Sequence, residues 1–142
     1  MLETEPLIIE QYIRPGKVRL VYRHLQQLGE RSELLSEASE CAADQGRFWE
    51  MRAAIYGRYN QLFTNTAEQV VAAATEAEAN PEALQACLDA ATHEAAVRAD
   101  YEAATAEGVR SRPVFRIGER TIIGGQPFAV FQGFLDEALG NS

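Results

Sequence analysis

Lysine is almost missing from this chain: Lys17 stands alone beside twelve arginines. Cysteine is scarce, with only Cys41 and Cys87. Two cysteines cannot build a disulfide-rich scaffold, and these two form no Cys-x-x-Cys. No apolar run approaches the roughly 20 residues that a membrane-spanning helix needs, so membrane insertion is not expected. The opening Met1-Leu2-Glu3-Thr4-Glu5 is acidic and has no apolar centre, so no signal peptide is read in it. Gly-x-Gly-x-x-Gly and the Walker loop are both absent, which leaves dinucleotide and phosphate readings without support; no cofactor is expected. No serine has the context of a nucleophile elbow. Basic residues are outnumbered 13 to 21, a net charge of −8 at pH 7. A net-negative small domain repels phosphate backbones, so nucleic acid is not an expected partner.

What is present fits an ordinary folded domain. Of 142 residues, 46% are apolar and 24% charged, which argues against disorder and for a single domain over residues 1–142. Residues 3–14 predict a helix, with Leu2, Pro6, Ile9 and Ile13 on one stripe and Pro6 tolerated in the first turn. Pro15-Gly16 ends it. Residues 17–24 then alternate, with Val18, Leu20 and Tyr22 on one face and Lys17, Arg19 and Arg23 on the other, as in a strand.

From 31 to about 107 the period is helical. Leu34, Ala38, Cys41 and Gln45 form one stripe, Gly46 interrupts, and Phe48, Arg52, Ile55, Tyr59 and Leu62 form the next. Thr66 is a candidate cap for an alanine-rich helix ending near Asn80. Asn80 and Pro81 then supply an N-cap and a first-turn proline for a helix with Leu84, Cys87, Leu88 and Ala91 on its apolar face. A helix over about 92–107 shows Val97, Tyr101 and Ala104, and Gly108 stops it. Sixteen of the 23 alanines lie between residues 67 and 106, where they permit close packing. Residues 114–117 and 121–123 about Gly118-Glu119 read as a β-hairpin. Pro127 opens a last helix, with Phe128, Phe131, Leu135 and Ala138 facing the core.

Few residues point to chemistry. His24 reads as a strand-end residue and His93 as a surface residue at a helix start. Neither has metal-ligand spacing to another His or Cys, so a metal site would require a coincidence of tertiary structure. Two segments stand out: Gly108-Val-Arg-Ser-Arg-Pro113, a proline just before a strand, and Cys41-Ala-Ala-Asp-Gln-Gly-Arg-Phe-Trp-Glu50, two helices meeting at Gly46. By pattern alone, Pro113 is an ordinary trans proline and Cys41 and Cys87 are two buried, inert thiols.

Taken together, the two segments resemble the DsbA-like branch of the thioredoxin superfamily. The C-A-x-x-Q-G-x-F-W-E run of that family corresponds to Cys41–Glu50, and its G-V-x-x-x-P to Gly108–Pro113. Gly124-Gly-Gln-Pro-Phe128 resembles the entry to its last helix, and residues 5–23 its first helix and following strand. The resemblance spans residues 2 to 139. It implies an α/β, thioredoxin-like fold with a large helical insertion. It implies a cis bond before Pro113, and a substrate-binding role for the backbone at Arg112 and Pro113. Arg112 stands where Thr or Val is common in the family, a departure that bears on substrate choice. A structural disulfide between Cys41 and Cys87 is implied by members that link such helices, with an oxidising compartment as its setting. The family's first β-strand and its redox Cys-x-x-Cys precede the helix with which this sequence opens. Both are expected to be missing, which leaves no catalytic residue to name.

Two functional readings follow. In the first, the chain derives from protein thiol–disulfide oxidoreductases acting outside the cytoplasm, and is inactive alone. In the second, it is a non-catalytic module that holds extended protein or peptide segments along the hairpin edge. The absence of a central strand leads us to expect self-association, a homodimer through the strand gap.

Overall fold

The computed structural model describes residues 3–64 and 66–141. In chain order its elements are α1 (Thr4–Ile8), a π-helical segment (Ile9–Ile13), α2 (Glu30–Ala43), α3 (Phe48–Gly57), α4 (Thr66–Glu76), α5 (Pro81–Asp89), α6 (Glu94–Ala106), β1 (Val114–Ile117), β2 (Arg120–Ile123) and α7 (Phe128–Leu139). The architecture is mixed α/β with helix dominant. The chain forms two compact units, one from Met1–Arg23 with Thr105–Ser142 and one from His24–Ala104. The second covers most of the insertion expected at about 31–107. Among the described residues, no helix is long and apolar enough to cross a membrane.

In the first unit the core gathers Tyr12, Ile122, Phe131 and Leu135, with Ile8, Val18, Phe115 and Ile117 packed against them. In the first helix Thr4 and Tyr12 are buried and Ile8 packs on the core, whereas of the expected stripe Pro6 is exposed and Ile9 and Ile13 are half-buried; Leu2 lies outside the described residues. The stripe turns because Tyr12 can be buried at no hydrogen-bonding loss: its hydroxyl donates to Asp136 Oδ1 at 2.7 Å. Burial and this bond raise the Tyr12 pKa above its ordinary value. The hairpin pairs Val114 with Ile123 and Phe115 with Ile122, antiparallel. Gly118, at φ +58°, supplies the positive φ that the first central position of a tight hairpin turn requires. Phe115 meets Phe131 of α7 edge to face at 4.9 Å, which fixes the helix under the sheet.

The expected strand at 17–24 is not formed, since the only ladder among the described residues is β1 with β2. Its side-chain alternation survives: Val18 and Leu20 are half-buried, Arg19 and Val21 exposed, although Tyr22 is exposed as well. Alternation places side chains, but a ladder needs a neighbouring strand to take up the N–H and C=O groups. No described strand adjoins this segment.

In the second unit, α2 to α5 close around Cys41, Met51, Ile55, Val70, Leu84 and a run of alanines. Met51, Ala54 and Ile55 form the inner face of α3, while Trp49, Tyr56, Tyr59 and Phe63 remain exposed. The expected stripe through Arg52 and Tyr59 is therefore off by part of a turn. Arg52 lies over the Trp49 and Tyr56 rings, at 5.7 and 4.7 Å, and covers them from outside. Val97 of α6 is buried, but Tyr101 is exposed. In α7, Phe131 and Leu135 are buried, but Ala138 is exposed. Thr66 lies inside α4 and its hydroxyl donates to the Leu62 carbonyl instead of capping. Asn80 caps α5 as expected, accepting from the Ala83 N–H at 2.9 Å.

Helices α4 and α5 end earlier than expected for one shared reason. After α5 the Ala91 N–H donates to Leu88 and the Thr92 N–H to Cys87, the paired bonds of a Schellman motif. After α4, Glu78 and Ala79 repeat the pattern onto Thr75 and Ala74. The left-handed residue is Ala91 in one (φ +50°) and Glu78 in the other (φ +57°) where glycine is usual, so the sequence carries no stop signal. A Cβ in this region is strained. We expect Ala91→Gly to stabilise the protein by about 0.5–1 kcal/mol, the relief of that strain less the flexibility glycine adds to the unfolded chain. A rise in the urea midpoint at unchanged m-value checks it.

Candidate functional site

The first region of interest is the start of β1. The Gly124 N–H donates to the Pro113 carbonyl at 2.8 Å, so Pro113 is a hydrogen-bonding position of the hairpin. Alternation then turns the main-chain groups of Phe115 and Ile117 toward β2, and those of Val114 and Arg116 toward the opposite edge. Among the described residues no strand occupies that edge. The Arg116 side chain pairs with Glu107, holding the strand's outer side to the segment before it. The loop after β2 is anchored too, because the Thr4 hydroxyl donates to the Gln126 carbonyl at 3.2 Å and Gln126 Nε2 donates to the Ile123 carbonyl at 3.0 Å. Arg112 is exposed and Pro113 half-buried at the head of this edge, joined by a cis peptide bond. The structure thus puts Arg112 and Pro113 at the head of an edge that no described strand pairs.

The second region lies in the helical unit. Cys41 of α2 and Cys87 of α5 form a disulfide, with their Cα atoms 5.9 Å apart. Cys41 is buried and Cys87 half-buried. Nothing in the spacing of the sequence places His93 here. The Schellman turn at Ala91 brings it back over the end of α5, where its Nε2–H donates to Asp44 Oδ2 at 2.7 Å. Asp44 Oδ2 is also 3.9 Å from Cys87 Sγ. Ligand atoms of Cys41, Cys87 and His93 all lie within 4.8 Å of one another, with the two sulfurs bonded to each other and so offering no thiolate in this state. The one legible signal was Asp44, a single helical turn beyond Cys41. His93 depended on a turn without glycine.

His24, read as a strand-end residue, is instead buried. Its Nε2–H donates to Glu40 Oε1 at 2.7 Å, its main-chain N–H donates to Asp100, and its ring meets the edge of Phe48. This is a buried polar group with its bonds satisfied, a structural anchor for α2 and α6. Next to it is an open hollow of about 250 Å³ lined by Gln26, Gln27, Gly29, Glu33, Arg98 and Tyr101. Gln26 Nε2 donates to the Val97 carbonyl. Glu37 lines a second, smaller hollow that shares Gln26, Glu33 and Arg98, and its pKa is raised by burial first and then by the charges of Glu94 and Glu33. Arg98 and His93 oppose that rise.

A helix packed on a hairpin, interrupted in sequence by a unit of helices, defines a thioredoxin-like α/β protein. The sequence model of the family described as thioredoxin matches residues 2–137, and the chain belongs to that family. No curated protein matches the chain.

The Glu37 shift gives a signed pH dependence. A carboxyl whose pKa is raised by folding favours the fold while protonated, below its ordinary value of 4.5, and loses that contribution as pH rises through the folded value. Glu37→Gln keeps the shape and removes the charge. It should therefore stabilise the protein at pH 7, with the gain fading as pH falls below the ordinary carboxylate range. Urea unfolding of both proteins at the two ends of that range checks the sign.

Proposed function

We propose that the chain carries the substrate-holding part of a DsbA-like protein thiol–disulfide oxidoreductase, and that the exchange chemistry does not reside in its own cysteines. The observation that supports this best is the open edge of β1 at Arg112–Pro113, on a chain of the thioredoxin family. An extended polypeptide added to that edge would bond to the main chain of Val114 and Arg116, which reads backbone and tolerates many sequences. Exposed Arg112 favours acidic or polar neighbours in the bound segment. The absence of a Cys-x-x-Cys from the 142 residues, and the pairing of Cys41 with Cys87, support a chain that does not turn over alone. Exchange needs an attacking thiolate and a neighbouring resolving thiol. An oxidising compartment outside the cytoplasm is the setting that fits the disulfide.

The experiment adds a reduced, unfolded polypeptide to the labelled chain and follows backbone amide resonances. Shifts should centre on Val114 and Arg116. Val114→Pro removes one donor and should weaken binding about tenfold, ~1.4 kcal/mol. Shifts confined to other surfaces defeat the reading. In an insulin-reduction assay the same 142-residue chain should show no turnover. Robust turnover lost in Cys87→Ser would move the redox centre to the helical unit.

The same edge accepts a second copy of the chain. Exposed Ile123, on the hairpin face away from α7, adds apolar area to such a contact. Light scattering after size exclusion should show a dimer that dissociates on dilution. A monomer at all concentrations would assign the edge to other partners alone.

A further inference from the structure

We propose that Cys41, Cys87, His93 and Asp44 form, once the disulfide is reduced, a tetrahedral site for one zinc-class divalent cation. Disulfide and metal are then alternative occupants of the same two sulfur atoms.

The donor set carries the argument. Two thiolates, one imidazole and one carboxylate are what a borderline-soft cation such as Zn²⁺ takes in four-coordinate sites. Zinc holds sulfur at ~2.3 Å and nitrogen or oxygen at ~2.0–2.2 Å, which places neighbouring ligand atoms ~3.3–3.8 Å apart. Ligand atoms of Cys41, Cys87 and His93 already lie within 4.8 Å of one another. Asp44 Oδ2 sits 2.7 Å from His93 Nε2 and 3.9 Å from Cys87 Sγ but lies outside that three-residue group, so its exposed side chain swings in to complete the set. The ligands come as two near pairs, Cys41-x-x-Asp44 at the end of α2 and Cys87 with His93 across the α5–α6 turn. Two short pairs brought together by packing are the usual build of a structural zinc site. Burial also suits the role. Cys41 is almost wholly enclosed, His93 is one-fifth exposed at its side chain, and Asp44 faces solvent on an entry side.

The chemistry balances in two steps. An external dithiol, such as a reduced thioredoxin-type protein, attacks the Cys41–Cys87 bond. It leaves as a disulfide, having supplied two electrons and two protons, and the chain is left with two thiols. The cation then displaces both thiol protons to solvent. His93 moves its remaining proton to Nδ1 and offers the Nε2 lone pair, and Asp44 exchanges the hydrogen bond it accepts from His93 for the metal. The complex carries one net negative charge from 2+ against two thiolates and a carboxylate. An external protein disulfide runs the exchange in the other direction: it takes two electrons from the two thiolates and two protons from solvent, leaves as a dithiol, the Cys41–Cys87 bond re-forms, and the cation is released.

The experiment uses the 142-residue chain, reduced and freed of dithiol under argon, titrated with Co²⁺ and then Zn²⁺. The expected result is one Co²⁺ per chain with thiolate-to-cobalt absorption and the intense visible bands of tetrahedral cobalt, displaced by one Zn²⁺. The disulfide form should show neither. Asp44→Asn should weaken binding ~10–100-fold, and His93→Ala by more than that. His93→Ala is first shown to be folded in its disulfide form, which makes no use of the imidazole as a ligand. Far-UV circular dichroism follows the reduced chain throughout. If reduction alone lowers its helicity, Zn²⁺ should restore it, since metal binding is then folding free energy. The proposal is overturned if the reduced chain takes no cobalt with thiolate bands, or if lost helix is not recovered with zinc. It is equally overturned if His93→Ala binds as tightly as the parent, or if the disulfide form binds as well as the reduced one.

Discussion

The Cys41–Cys87 bond is the constraint on which the helical unit depends. The buried cluster around it is rich in alanine, with Ala38 and Ala42 on α2 and Ala54, Ala73, Ala74, Ala77 and Ala79 on or just after α3 and α4, while α5 brings Leu84, Cys87 and Leu88. Alanine lets helices approach closely and costs no side-chain entropy, but a face of methyl groups slides and rotates with little penalty. The disulfide removes that freedom by fixing α2 against α5 at one register. Closing a loop of 46 residues contributes about 4 kcal/mol on the chain-entropy account. That is a large share of the ~5–15 kcal/mol that holds a typical domain together. The position of His93 over Asp44 follows from the same fixed register, because α5 carries one partner and α2 the other.

Much of the fold was legible in the sequence, and the errors have identifiable causes. Asn80-Pro81, Gly46, Gly108 and the hairpin turn at Gly118 were readable because each residue type has one strong local preference. The ends of α4 and α5 were not, because Glu78 and Ala91 adopt a left-handed conformation that their side chains do not advertise. The first helix was found but its face was rotated. Tyr12 lies off the expected stripe and is buried because Asp136, more than a hundred residues away, accepts from its hydroxyl. The segment at 17–24 shows the converse. Its alternation was real, but pairing is a property of two strands, and no sequence pattern in one strand supplies the other.

The candidate sites divide along the same line. Arg112 and Pro113 were singled out by resemblance, and they stand at the head of β1, where the proposed binding edge begins. The corner around the disulfide was only half visible. Cys41 and Cys87 invited attention as the chain's two cysteines, but His93 read as a surface residue, since its distance in sequence from Cys41 carries no geometric information. Only the turn after α5 converts it into a neighbour of both sulfurs.

Both cysteines belong to the helical unit, and a bond through them fixes α2 against α5. A disulfide and a four-ligand metal site are both such bonds, and each crosslinks α2 to the end of α5. Because they share Cys41 and Cys87, their free energies are linked: whatever the cation contributes to the reduced form is subtracted from the stability of the disulfide relative to the dithiol. On the α2 side Ala38 and Ala42 offer little shape to hold Leu84 and Leu88 of α5 in place, so either crosslink adds a constraint on the register of the two helices. With neither, α2 and α5 lose their register. His93 and Asp44 would then be lost from the corner together, since each reaches it only through the helix to which its cysteine belongs.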